Sequence, residues 1–120
     1  MPGKKGKIIF ANIEIQEDGS KKYKVNGTLF FGSVFNFKEL FDINNDPQNG
    51  FLDLRYAKVM DHSAIDAINS IAGRYEAAGK TFTLIRPSKN CRLLLENVKN
   101  ITSIHIAEDK EDKERFTAFV

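Results

Sequence analysis

The chain holds one cysteine in 120 residues. That excludes an internal disulfide framework and fits a reducing compartment. No apolar run approaches the ~20 residues that a membrane-spanning helix needs. The stretch Ile8 to Ala11, which follows a basic leader over residues 1–7, is too short for the core of a secretory signal. An excess of one charge is also missing. The 18 basic and 16 acidic residues leave a net charge of +2, not the strongly basic balance of a chain that wraps nucleic acid. No aromatics interleave with the lysines as base-stacking platforms, so nucleic acid is not an expected partner. Internal repeats and low-complexity segments are absent too. The remainder is a chain of single-domain length, 1–120, with 42% hydrophobic residues. A chain of that length buries about two-thirds of its unfolded surface. The expectation is one soluble, cytosolic domain.

Period-two alternation marks the first element, where Ile9, Ala11, Ile13 and Ile15 share one side. After the turn signal Glu17-Asp18-Gly19-Ser20, Tyr23 and Val25 alternate with lysines, and Gly27 ends or bends that strand. Two strands about a short turn predict an antiparallel hairpin. The rhythm then changes. Ser33 is placed to cap a helix whose apolar face is Val34, Phe37, Leu40 and Phe41. Residues 44–50 are a dense breaker cluster. A strand follows over 51–55, then a long helix capped by Asp61 or Ser63, with Ile65, Ile68, Ala72 and Tyr75 along one stripe and Gly79 as its stop. Strand 81–86 leads to a helix opened by Ser88, with Cys91, Leu94, Leu95 and Val98 inside, and then to a short strand 104–106. The tail 108–120 is charged and ends with Phe116 and Phe119; a short docked helix and a frayed terminus are equally consistent with it.

Alternating strands and helices predict parallel crossovers, which are right-handed in nearly all cases. Leu52 and Leu54 alternate with Asp53 and Arg55, Phe82 and Leu84 with Thr81 and Thr83, and Ile104 and Ile106 with Ser103 and His105. Strands covered on both faces would be continuously apolar instead. The expected fold is two-layer α/β: a mixed, mostly parallel sheet of about five strands, an N-terminal antiparallel hairpin, and helices mainly on one face. Asp53, Thr83 and His105 are expected on the wetter face.

Several features that suggest chemistry dissolve on inspection. Gly73 to Thr81 resembles a phosphate-binding loop, but five residues separate its glycines where that loop has four. It also ends a helix rather than opening one, so it lacks the amides that would cradle phosphate. His62, His105 and Cys91 have no metal-site spacing, and no metal or cofactor is expected. Cys91 falls on an apolar stripe and reads as a packing residue. The sequons at Asn26 and Asn100 carry no weight without secretion. The lysines at 4, 5, 7, 21, 22 and 24 read as a solvated sheet edge.

The segment 52–68 is more informative. It sets Asp61-His62-Ser63 in the loop from a buried strand to a helix N-terminus. The carboxyl ends of strands in open α/β sheets are the usual place for a binding site. A phosphate on Ser63 would meet the positive end of the helix dipole. A serine that simply caps the helix, helped by Asp61, is the competing explanation. A catalytic serine is disfavoured, because adjacent residues on one turn rarely converge as nucleophile and base.

At these residues the chain resembles a STAS domain, the module shared by sulfate transporters and anti-sigma-factor antagonists. The likeness runs from about Ile8 to the acidic tail. It takes in the hairpin, Val25-x-Gly27, the Asp-x-Ser loop, the long helix and the Gly79-Lys80 turn. Asp61-His62-Ser63-Ala64-Ile65-Asp66-Ala67 and the Phe-rich run after Gly27 are similar to the version in SulP anion transporters. Antagonists usually carry Asp-Ser-Ser-Gly or Asp-Ser-Thr-Gly there, and His62 and Ala64 depart from that motif. The resemblance implies a non-catalytic regulatory domain on the cytoplasmic side of a SulP-type transporter of sulfate or a related anion. Its implied partners are the transmembrane part of the same protein, a second copy, or a cytosolic regulatory protein. The alternative it implies is a stand-alone anti-sigma-factor antagonist switched by phosphorylation of Ser63. Asp61, His62 and Ser63 form the expected regulatory loop in either case.

Overall fold

Five strands make one sheet whose spatial order, β1-β2-β3-β4-β5, is the order of the chain itself. The structure is a computed structural model that describes residues 9–97 and 104–107. The leader 1–7, Val98, the Asn100 sequon, Ser103 and the tail with Phe116 and Phe119 lie outside the described residues. The hairpin is present: β1 (Ile9–Ile15) runs antiparallel to β2 (Lys21–Leu29), with Ile9 opposite Gly27. Its turn closes through the Asp18 carboxylate, which accepts from the Ser20 amide at 2.9 Å. A 3-10 turn (Phe31–Ser33) and α1 (Val34–Glu39) follow, then β3 (Asn49–Val59), α2 (His62–Ala77), β4 (Thr81–Ile85), α3 (Lys89–Glu96) and β5 (His105–Ile106). Strands β2 to β5 are parallel. Adding each strand on the same side with right-handed crossovers puts the helices on one face, as expected.

The core lies between that face and the helices. Tyr23, Val25, Leu52, Leu54, Phe82 and Leu84 from the strands meet Phe37, Ile65, Ile68, Ile71, Tyr75 and Cys91 from the helices, all almost fully buried. Cys91 packs as expected, and burial pushes its thiol up to about 11, against a small opposing effect of Arg92. Gly79 adopts φ +74° and stops α2, so the apparent phosphate loop is a helix end.

Four local expectations are corrected. Strand β3 does not stop at Arg55 but runs to Val59. Between Lys24 and Asn26 the register with β2 shifts: β2 advances two residues while β3 advances three, from Asp53 to Tyr56. The extra residue inverts the alternation, so Leu52 and Leu54 face the core before it, and Ala57 and Val59 after it. Asp53 is on the sheet face away from the helices, yet it is only 3% exposed and pairs with Arg86 at 3.0 Å. Arg86 reaches it from a left-handed backbone, φ +54°, at the end of β4. Ser33 does not bond an α1 amide; its hydroxyl accepts from Phe30 N–H and donates to the Thr28 carbonyl, stitching the 3-10 turn. The lysines of β2 do not form a solvated edge either, because β1 is the edge strand. Lys22 is buried, Lys21 is drawn into an ion pair, and β1 exposes Phe10, Ile13 and Ile15.

The breaker cluster hides a polar latch. Asp46, whose side chain is fully buried, accepts from Lys21 Nζ at 2.7 Å, from Tyr23 Oη at 2.6 Å and from Tyr75 Oη. Lys80 Nζ donates to the carbonyls of Ile43 and Asp46 at 2.7 and 2.6 Å. Gly50 is needed beside it: a Cβ there would sit 2.7 Å from the Tyr75 ring. The latch holds the connection from α1 to β3 at the end of the sheet opposite the Asp61 corner.

Candidate functional site

Strands β2 and β3 finish together, Leu29 opposite Val59, and the Met60 amide donates to the Leu29 carbonyl at 3.0 Å. The next residue, Asp61, is extended at φ −150° and caps α2, its Oδ1 accepting from the Ala64 amide at 3.0 Å. Its second oxygen, Oδ2, accepts from the Phe31 amide at 3.1 Å. One carboxylate therefore ties the first turn of α2 to the 3-10 turn that follows β2. Of the two cap candidates in the sequence, the structure selects Asp61.

That choice leaves Ser63 without a capping task. It is the second residue of α2, half-buried, and its hydroxyl makes no hydrogen bond among the described residues. His62, the first helical residue, is exposed. Asp61, His62 and Ser63 thus share one corner, but Asp61 alone of the three uses its side chain to hold the fold. The arrangement does not assemble a nucleophile and base, since both Asp61 oxygens are committed to backbone amides. Among the described residues no group of three His, Cys, Asp or Glu side chains is placed to hold a metal ion.

The surroundings of the corner are apolar and open. Phe31 and Phe35 are 74% and 70% exposed, and Met60 is 50% exposed. A cleft of about 370 Å³, with Met60 in its wall, lies between Ala57–Met60 and the residues Ser88 and Asn90 where α3 opens. Two of its lining residues are joined, Asn90 Nδ2 donating to the Val59 carbonyl at 3.1 Å. The sequence reading did not single out Phe31, Phe35 and Met60. The signal was present: residues 30–37 hold four phenylalanines, and of these Phe37 alone is fully buried.

The family model described as "STAS domain" matches residues 7–113. A search of curated proteins finds no match. Among solved structures, an anti-sigma-factor antagonist of Thermotoga maritima, described as putative, matches with a TM-score of 0.67 at 23% identity, over 88% of this chain and 92% of that one. The antisigma-factor antagonist STAS domain of Rhodobacter sphaeroides matches with a TM-score of 0.59 at 24% identity, over 64% and 85%. The anti-sigma factor antagonist SpoIIAA in its unphosphorylated form matches with a TM-score of 0.63 at 16% identity, over 92% and 98%. At these identities the likeness is one of fold.

The transporter expectation is corrected here. The three structures are antagonists matched over most of their own length, not transporter domains. No helix among the described residues is long and apolar enough to cross a membrane. The terms sulfate transport, anion transport and transmembrane transport conflict with these matches, each of which is described as an antagonist.

Proposed function

The chain belongs to the STAS-domain family, as a regulatory and non-catalytic domain, and from that premise we propose that it acts as an anti-sigma-factor antagonist. In this reading Ser63 is its phosphoacceptor and the Asp61–Ser63 corner is its partner-binding loop. The partner is a regulatory protein that binds the unmodified corner and is released when Ser63 carries phosphate. The observation that carries the reading is the division of labour at the start of α2. Asp61 caps the helix, so the Ser63 hydroxyl is left for modification at a rim of exposed apolar side chains.

A phosphate there is chemically reasonable. It would sit in the first turn of a 16-residue helix, where the dipole and the free amides favour negative charge. It would add about two negative charges to a corner that otherwise offers an apolar surface. The Bacillus cell fate determinant SpoIIAA, which shares the fold at 15% identity, has been solved in its phosphorylated form. His62 and Ala64 replace the hydroxyl residue and glycine usual in antagonists, so the partner kinase must accept an imidazole before the serine and a methyl after it.

The test is incubation of the chain with serine kinases of the anti-sigma-factor type and Mg-ATP, followed by peptide mass spectrometry. One phosphate on Ser63, absent from Ser63→Ala, is expected. Phosphate on another residue, or none together with no binding of the kinase by the unmodified chain, would overturn the proposal.

A further inference from the structure

We infer that Asp61 couples the Ser63 phosphoacceptor to the aromatic corner at Phe31, so that phosphate on Ser63 releases that corner. This inference rests on Ser63 being the modified residue and goes beyond it by naming how the modification is transmitted.

The Asp61 carboxylate is divided between two segments that are 30 residues apart in sequence. Oδ1 holds the Ala64 amide in the first turn of α2, and Oδ2 holds the Phe31 amide at the start of the 3-10 turn. On the far side of that turn, Ser33 is anchored to Thr28 and Phe30. The turn is therefore pinned at both ends, and Asp61 supplies the pin nearest Ser63. Phe31 and Phe35, which project from this turn and from α1, are among the most exposed aromatic side chains described. Asp61 is the side chain that links this turn directly to the first turn of α2.

A phosphate on Ser63 would stand two residues from Asp61 and compete with it for the first-turn amides of α2, where anions are favoured. Like-charge repulsion acts in the same direction. If the carboxylate swings away from Ala64, its other oxygen leaves the Phe31 amide. A partner that grips both the serine corner and the phenylalanines then loses two contacts for one modification. Asp61 acts in this scheme as a positioning residue, through the two amides it holds.

Asparagine is the informative substitution. It caps helices about as well as aspartate but offers one acceptor oxygen where aspartate offers two. Asp61→Asn should keep α2 and lose one of the two amide bonds. The experiment is a 1H–15N correlation spectrum of three full-length chains: unmodified, Asp61→Asn, and a chain carrying genetically encoded phosphoserine at 63. The Phe31 amide in the unmodified chain is expected at the low field typical of a bond to carboxylate. It should move upfield in the phosphoserine chain, with smaller changes at β4 and α3. In Asp61→Asn, either Phe31 or Ala64 should move upfield. An unchanged Phe31 signal in the phosphoserine chain would overturn the coupling. Because the phosphate is installed directly, this result is separate from whether any kinase modifies Ser63, which the mass spectrometry decides.

Discussion

The Tyr75 hydroxyl, near the end of α2, donates to the carboxylate of Asp46, which lies 29 residues earlier in the connection between α1 and β3. That carboxylate is also the acceptor for Lys21 and Tyr23 at the start of β2. Two elements and a loop thereby converge on one buried charge. An ion pair of this kind contributes little beyond its own desolvation cost when intact, but removing one partner strands the others. Asp46→Ala would leave two buried phenols and an ammonium without their acceptor. The expected loss is about 3–5 kcal/mol, read from urea unfolding. Asp46→Asn keeps an acceptor for the phenols and should lose less. Equal stability of Asp46→Ala and the parent chain would mean that the latch does not hold the loop.

The same carboxylate sets an acid limb. Burial by itself would raise its pKa, but hydrogen bonds from Lys21, Tyr23 and Tyr75 outweigh burial and hold it below its ordinary value of 3.8. A carboxyl depressed on folding stabilises the folded state in its ionised form. That contribution is complete above the unfolded value and is lost as pH falls through the folded one. Folding stability should therefore drop below about pH 4, and Asp46→Asn should show a shallower decline over the same range. Urea titrations at a series of pH values check this; parallel declines in the two chains would assign the acid limb to other carboxyls.

Most of the fold could be read from periodicity, because the hairpin and α2 each keep one rhythm. The second half of β3 could not. Its bulge shifts the core positions from Leu52 and Leu54 to Ala57 and Val59, so alternation fails where the strand continues. The burial of Asp53 was hidden for a different reason: its partner Arg86 comes from the next strand and depends on a left-handed residue that no pattern announces. Asp46 was masked by its surroundings, since Asn44 to Gly50 looks like an ordinary turn and the partners of its carboxylate are 23 to 29 residues away. At the Asp61 corner the sequence located the loop but left the cap open, because serine and aspartate serve equally well there. The geometry of Ala64 and Phe31 decided it.

The one-sided architecture has its own energetic signature. Leu54 is 1% exposed and lies between the sheet and the helices, whereas Thr83 is half-buried on the opposite face. Leu54→Ala should cost about 2–5 kcal/mol through lost burial and the cavity left behind. Thr83→Ala should cost under about 1 kcal/mol. Urea unfolding of both variants makes the comparison, and similar costs at the two positions would be incompatible with helices on a single face.

Stability measurements also separate the two roles at the start of α2. If Asp61 is the cap and Ser63 is not, the two side chains should differ in what they contribute to the unmodified fold. Asp61→Ala removes the acceptor of both the Ala64 and Phe31 amides and should cost about 1–2 kcal/mol. Ser63→Ala removes a hydroxyl without a hydrogen-bond partner among the described residues, at a helical position where alanine is the better helix former. Its effect should lie within about 0.5 kcal/mol of zero, on either side. The contrast bears on function as well as folding. A serine whose removal leaves the fold intact is held for something other than stability, and Ser63→Ala then becomes a clean reagent for testing phosphorylation. A loss of about 1 kcal/mol or more in Ser63→Ala would instead return the hydroxyl to a capping role and weaken the case for a switch at that residue.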